Sequence, residues 1–307
     1  MTTPLFEAWQ ATVARYGSRR AVVEAASARE WTFAQLAEAA EARAARDLPP
    51  GNVLAGLPVA FALPNGAAWL ELFLALASRG AVGVPLDPGE PPSAVAAVAA
   101  HLGGARWDGA ALHMPTRPRR FRRAEVALIK LTSGSTGRPR PLVFTASEVL
   151  ADARQVMATM GITDGDLNYA LIPFGHSYGL GNVTIPLVAH GVPVVCGTMG
   201  LPQTIAAEFA RWQPTVFPGV PALWRGLVQA DLPPQALASL RLGISAGAPL
   251  APEVARAFAD RFHRRLHAFY GSSETGGIAF DRTGAATLEG GVGTALEGVR
   301  LERGRGE

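Results

Sequence analysis

The chain has 307 residues with 28 basic side chains against 25 acidic ones, and a single one of the basic residues, Lys130, is a lysine. The formal net charge of +3 is too small to call for nucleic acid or a membrane surface, and any chemistry that needs a lysine nucleophile or Schiff base has one candidate, because arginine stays protonated. Hydrophobic residues at 49% and charged ones at 17% exclude wholesale disorder, while the lone cysteine, Cys196, excludes an intramolecular disulfide and a thiolate metal cluster.

Apolar residues at Leu5, Phe6, Trp9, Val13 and Tyr16 fall at helical spacing, so Pro4 to Tyr16 predicts an amphipathic helix, and Thr32 opens a second one through Phe33, Leu36 and Ala40. A strand at Leu57–Leu63 follows, then Pro64-Asn65-Gly66, a helix through Trp69, Leu72, Phe73 and Leu76, and a strand at Ala81–Val84. Strands are expected at Val126–Leu131, Leu167–Ile172, Val192–Val195, Thr215–Phe217, Leu240–Ser245 and Leu266–Tyr270. Helices are expected at Ser147–Met160, Leu180–Ala189, Gln203–Trp212, Pro221–Gln229 and Ala251–Phe262. Such alternation implies an α/β fold of two packed, doubly wound parallel-sheet subdomains with helices on both faces.

Residues 103–123, rich in Gly, Pro and Arg, read as a linker closing a first subdomain over 1–123; a second spans 124–280, and glycine-rich residues 281–307 begin a partial β-rich segment. No apolar run reaches the ~18 residues of a membrane span, and Met1 to Glu7 lacks a basic leader, so the expected location is the cytoplasm. The histidines show no spacing that pairs them with carboxylates as zinc ligands.

The strongest local signal is Thr132-Ser133-Gly134-Ser135-Thr136-Gly137-Arg138-Pro139-Arg140, directly after an apolar strand. Small residues let successive amides point into one concavity, and hydroxyls and arginines add donors for a polyphosphate. The spacing is not that of a Walker A loop.

Together with three further stretches in order, this run resembles the adenylate-forming (AMP-binding) superfamily, which includes acyl- and aryl-CoA synthetases. The stretches are Pro173-Phe174-Gly175-His176-Ser177-Tyr178-Gly179-Leu180, the family's histidine motif; Ser245-Ala246-Gly247-Ala248-Pro249-Leu250, its adenine-flanking turn; and Ala268-Phe269-Tyr270-Gly271-Ser272-Ser273-Glu274-Thr275, its Y-G-x-T-E motif. The resemblance implies ATP-dependent conversion of a carboxylic acid into an acyl-adenylate, then a thioester on CoA or on the phosphopantetheine of a carrier protein. It implies that Thr132, Ser133, Gly134, Ser135, Thr136 and Gly137 wrap the phosphates, with Arg140 standing where the family has lysine. Tyr270 and Gly271 would meet adenine opposite Gly247, Ala248 and Pro249. Ser273, in the place of the motif's threonine, would bond the α-phosphate, with Ser272 also in the nucleotide site; Glu274 would hold Mg²⁺, and His176 would sit between the phosphate and acyl sites.

The His-Ser-aromatic-Gly pattern resembles acyl- and aryl-CoA synthetases more than amino-acid-activating domains, so a fatty or aromatic acid is expected, lined by Tyr178, Gly179, Asn182, Gly219 and Val220. Two departures stand out: Pro141 follows Arg140 where the family has glycine, and residues 1–307 include neither the T-G-D motif nor the lysine-bearing C-terminal lid domain. A non-catalytic nucleotide- or acyl-binding module is therefore the alternative, and the chain alone is expected to be impaired as an enzyme. Arg117, Arg119, Arg120, Arg122 and Arg123 read as a solvated linker rather than a nucleic-acid contact, and Lys130 as a strand-edge residue.

Overall fold

A computed structural model describes residues 3–121, 125–132 and 140–302. Helix α1 (Pro4–Tyr16) starts at Thr3, whose hydroxyl accepts from the Phe6 amide. A short hairpin, β1 (Arg20–Glu24) and β2 (Arg29–Thr32), leads into α2 (Phe33–Asp47), where Thr32 and Gln35 cap each other's backbone amides reciprocally. Then come β3 (Pro58–Ala62), α3 (Ala67–Ser78), β4 (Val82–Leu86), α4 (Pro92–Leu102), β5 (Ala105–Trp107), β6 (Leu112–His113), β7 (Val126–Thr132) and β8 (Arg140–Thr145).

The second half begins with α5 (Ala146–Met160), which opens on a Thr145–Glu148 capping box and ends at the left-handed Gly161. It continues through β9 (Asn168–Ala170), α6 (Ser177–Gly179), a π-helical turn at Leu180–Thr184 and α7 (Ile185–His190). The remaining elements are β10 (Val194–Cys196), α8 (Pro202–Trp212), β11 (Val216–Gly219), α9 (Pro221–Gln229), β12 (Leu242–Ser245), α10 (Pro252–Phe262), β13 (Leu266–Ser272), β14 (Gly276–Phe280) and β15 (Thr294–Ala295).

These strands form two sheets, one in the order β15-β14-β13-β12-β11-β9-β10-β1-β2 and the other β6-β5-β3-β4-β7-β8. Both are parallel at their centres, with antiparallel strands at the margins. This is the doubly wound α/β architecture the alternation implied. Sheet membership crosses the boundary expected at residue 123: β1 and β2 belong to the nine-stranded sheet, whereas β7 and β8 complete the six-stranded one. The arginine-rich stretch also carries structure: the Phe121 amide donates to Gly56 O and the Arg120 guanidinium to Ala55 O, fastening it beside β3. Arg122 and Arg123 lie outside the described residues.

The nine-stranded sheet is packed by aromatic side chains. Trp224 is fully buried, with ring centroids 4.8 Å from Phe217 and 5.4 Å from Phe258. Removing such a ring costs roughly 3–5 kcal/mol in a core that cannot collapse.

Two contacts bring the sheets' carboxyl ends together. Glu24, ending β1, accepts from the Ala67 amide at the start of α3 (3.1 Å). Asn65, in the turn after β3, donates to Ile172 O (2.8 Å) and accepts from the Phe174 amide (2.7 Å), in the segment after β9. Strand order reverses at β9, since the chain runs from β9 out to β10 and then returns to β11 on the opposite side. A reversal of this kind opens a crevice at the carboxyl ends of the strands, where α/β folds bind ligands.

Candidate active site

The segment Pro173–Ser177 leaves β9 at that reversal, and Gly219–Pro221 leaves β11 beside it. The first segment turns sharply into α6. A side chain at Gly179 would put its Cβ 2.1 Å from Pro173 O, so the turn closes only around glycine. His176 caps α6, its Nδ1 accepting from the Tyr178 amide at 3.3 Å, which leaves the ring proton on Nε2.

The other end of the site is built on β13. Its register sets Ser245 beside Ala268, so the turn Ala246–Pro249 leaves β12 next to Phe269 and Tyr270. A register shift between Tyr270 and Gly271 marks a bulge in the pairing with β14, and the Tyr270 ring stands 53% exposed. Ser272 accepts from the Thr275 amide, which closes the turn carrying Ser273 and Glu274. Ser177 Oγ donates to Ser273 Oγ at 3.0 Å, so two motifs separated by 96 residues touch through their hydroxyls.

A cavity of about 570 Å³ lies against this contact. Thr132, His176, Ser177 and Ser273 line it, as do the ends of β4 and β7 and the apolar face of α4 with Ala94, Ala97 and Val98. The site is thus a largely apolar chamber that carries the hydroxyls of Thr132, Ser177 and Ser273, the imidazoles of His176 and His101, the carboxylates of Asp87 and Glu90 and, from β7, the ammonium of Lys130.

Lys130 was expected at a strand edge, and the fold corrects this. Strand β7 runs between β4 and β8, and the residue is 7% exposed. Burial pushes its pKa below the ordinary lysine value, opposed by the charge of Asp152. Its ammonium stands over the Phe144 ring, 4.4 Å from the centroid. The same surroundings act on His176, whose pKa falls through desolvation first and the charge of Lys130 second, with Asp87 opposing, so the imidazole is held neutral.

The other expected site residues divide into four groups. Ser133, Gly134, Ser135, Thr136 and Gly137 lie outside the described residues. Arg140 is exposed at the start of β8, opposite Thr132 in the register; Pro141 follows on an edge strand, where a missing N–H is tolerated. Tyr178, Gly179, Asn182 and Gly219 do not line the cavity: they are buried where α6 and the π turn pack on β11 and β12. The Tyr178 hydroxyl donates to Ile244 O at 3.2 Å, burial keeps it protonated, and Asn182 Oδ1 is buried with no hydrogen-bond partner among the described residues. Val220 and Gly247 meet on the adenine-turn side, a Cβ at Gly247 falling 3.5 Å from Val220 Cγ1.

Four contributors escaped the sequence. Asn65 and Asp152 act through backbone partners far along the chain, and α4 is too uniformly apolar for its spacing to stand out. Lys130 did have a signal, being the chain's one lysine directly before the Ser/Gly-rich run.

The fold and site define an adenylate-forming protein. The family model described as AMP-binding enzyme matches residues 9–105 and 103–302, and the chain belongs to that family as its N-terminal part. It is 28% identical over 312 residues to a feruloyl-CoA synthase of an Amycolatopsis species, covering 90% of this chain and 62% of that enzyme. It is 31% identical over 173 residues to a benzoate–CoA ligase of Thauera aromatica, covering 55% of this chain and 33% of the enzyme. The chain therefore spans about three-fifths or less of these relatives. Among solved structures, the N-terminal domain of FACL13 from Mycobacterium tuberculosis superposes with a TM-score of 0.79 at 20% identity, over 95% of this chain and 82% of that one. The anthranilate CoA ligase AuaEII, solved with anthranoyl-AMP, gives 0.79 at 18% identity, over 96% of this chain and 64% of that one. Among the described residues, no helix is long and apolar enough to cross a membrane.

Proposed function

We propose that this chain is the large N-terminal part of an acid–thiol ligase that activates a fatty or aromatic carboxylic acid with ATP. In the first step a carboxylate oxygen attacks the α-phosphorus, the bond to the bridging oxygen breaks, and pyrophosphate leaves. In the second a thiol, on CoA or a carrier protein, attacks the acyl carbon and expels AMP. The observation that carries the reading is the Ser177–Ser273 contact at 3.0 Å beside an apolar cavity: it joins the histidine motif to the Y-G-x-T-E motif next to a chamber fit for an acyl group. The relatives that bear CoA-ligase names support the same class.

On this reading the exposed Tyr270 ring stacks on adenine, with Gly247, Ala248 and Pro249 on the other side and Gly271 and Ser272 shaping the strand end. Ser273 donates to the α-phosphate oxygens. Thr132 and Arg140 flank the phosphate loop of residues 133–137, and Arg140 supplies a forked cation in place of the family's lysine. His176 donates from Nε2 to oxygen at the junction of the acyl and phosphate sites, stabilising charge rather than removing a proton. Tyr178, Gly179, Asn182 and Gly219 pack behind it and hold α6 in place without lining the cavity, while Val220 stands beside Gly247 on the adenine side.

Glu274 suits Mg²⁺: it is an exposed carboxylate in the turn next to Ser273, and Mg²⁺ is held in such sites by one or two carboxylates plus substrate phosphates. The metal when bound neutralises phosphate charge. We further propose a cytoplasmic location. The reading is tested by calorimetric titration with AMP and with a non-hydrolysable acyl-sulfamoyl adenosine. Binding is expected, and it should weaken in Tyr270→Ala and Ser273→Ala. No binding, or binding indifferent to both substitutions, removes the reading.

A further inference from the structure

We propose that Lys130 binds the reacting carboxylate of the acid substrate and presents it beside His176. The proposal deepens the reading above and rests on it in taking the cavity to receive a carboxylic acid.

Three observations carry it. Lys130 is 7% exposed, yet among the described residues no carboxylate lies within ion-pair distance of its ammonium. Asp152 acts on it through space and the Phe144 ring lies against it, but neither neutralises it through a hydrogen bond. A buried cation without a hydrogen-bonded counter-charge is costly to keep unless something delivers an anion to it. The second observation is where the side chain sits: Lys130 lines the same cavity as His176, Ser177 and Ser273, and its charge is felt at the imidazole. The third is the wall. Pro85, Ala94, Ala97, Val98 and Leu131 line the cavity that the ammonium enters, which suits an anion that carries one charge and an apolar tail.

A phosphate ligand fits the cavity less well. A polyphosphate brings several negative charges, and Asp87 and Glu90 line the cavity as well, so it would meet repulsion there with one lysine or arginine side chain among the described lining residues to offset it. A monocarboxylate brings a single charge, which the one ammonium can offset. It would accept from the Lys130 ammonium and from His176 Nε2–H, leaving its second oxygen to attack phosphorus.

Because Lys130 is the only lysine, protein grown with ¹³C,¹⁵N-lysine gives one side-chain ammonium signal. Acetate, hexanoate and benzoate are added in turn, with hexanamide, benzamide and tripolyphosphate as counterparts. The expected result is a saturable shift of the Lys130 signal with at least one carboxylate and none with its amide. Lys130→Met is expected to bind that carboxylate roughly 10–100-fold more weakly, the loss of one charge-assisted hydrogen bond, its AMP affinity reporting that it is folded. A signal moved by tripolyphosphate but by no carboxylate overturns the proposal in favour of a phosphate site. A signal moved by neither, or carboxylate affinity unchanged in Lys130→Met, also overturns it. The underlying reading fails separately: wild-type protein that binds no AMP loses the adenylation function even if the Lys130 signal answers to carboxylates.

Discussion

The carboxylate of Asp152 accepts a hydrogen bond from the Gly277 amide at 2.9 Å, tying the middle of α5 to the strand that returns from the Ser273–Glu274 turn. Burial raises the Asp152 pKa while the Gly277 amide and Lys130 pull it down, so one side chain connects the turn to the buried lysine. Gly276 beside it has a φ of +74°, and a Cβ there would fall 2.3 Å from Asp152 Oδ1. Gly276→Ala is therefore expected to cost about 1–3 kcal/mol in urea unfolding. It should also weaken AMP binding more than Asp152→Asn, which keeps an acceptor in place. Equal AMP affinities in the two variants would separate the turn from the nucleotide site.

Lys130 should make stability depend on pH in an unusual direction. Its folded pKa lies below that of a free lysine, so the unfolded chain binds more protons, and the charged residue opposes folding at neutral pH. The penalty lifts as pH rises through the folded pKa towards the free value of about 10.4. Lys130→Met is expected to be more stable than wild type at pH 7 by about 1 kcal/mol or more. The gap should narrow on going to pH 10, read by urea titration at each pH.

Asp166 gives the opposite slope. Burial raises its pKa, but the Arg241 guanidinium, at 2.6 Å through Nε and again through Nη2, and the Thr163 amide outweigh it, leaving the carboxyl below its ordinary value. Its contribution is complete above the unfolded pKa of about 3.9 and disappears as pH falls through the lower folded value. Arg241→Ala strands the buried carboxylate and should cost roughly 2–3 kcal/mol at pH 7, the Arg side being part-exposed. That loss should shrink in a melting series carried down to pH 3.

Tyr270 is exposed and lacks a core role, so Tyr270→Ala should leave the melting temperature within about a degree or two. Stacking on a base is worth about 1–3 kcal/mol, so AMP should bind roughly 5–150-fold more weakly. A large fall in melting temperature with AMP affinity intact would reassign Tyr270 to structure.

Much of the fold could be read from the chain because strands such as Val216–Gly219 and helices such as α10 announce themselves by short apolar runs and by spacing. The hairpin β1–β2 could not. Arg20–Glu24 and Arg29–Thr32 are short and half polar, their turn rests on Ala28 at a φ of +55°, and their place in the sheet depends on pairing Val22 with Val194, 172 residues away. In the site, motif order brought His176, Ser273 and Tyr270 to notice, and the fold puts Ser177 against Ser273. Lys130 went unnoticed as a site residue because burial of an ammonium is a property of the packed sheet, not of the strand that carries it.

The Asn65 bridge has a consequence for altering what the protein accepts. Its amide grips Ile172 O and the Phe174 N–H, main-chain atoms that every residue type but proline can supply. Residues along α4 that line the chamber can be exchanged one at a time without disturbing that grip. Grafting the whole Leu171–Gly175 stretch from a relative succeeds only if the transplanted main chain offers its carbonyl and its N–H at the same spacing. Chimeras between such proteins should then tolerate very different side chains here, and fail on a single inserted or deleted residue.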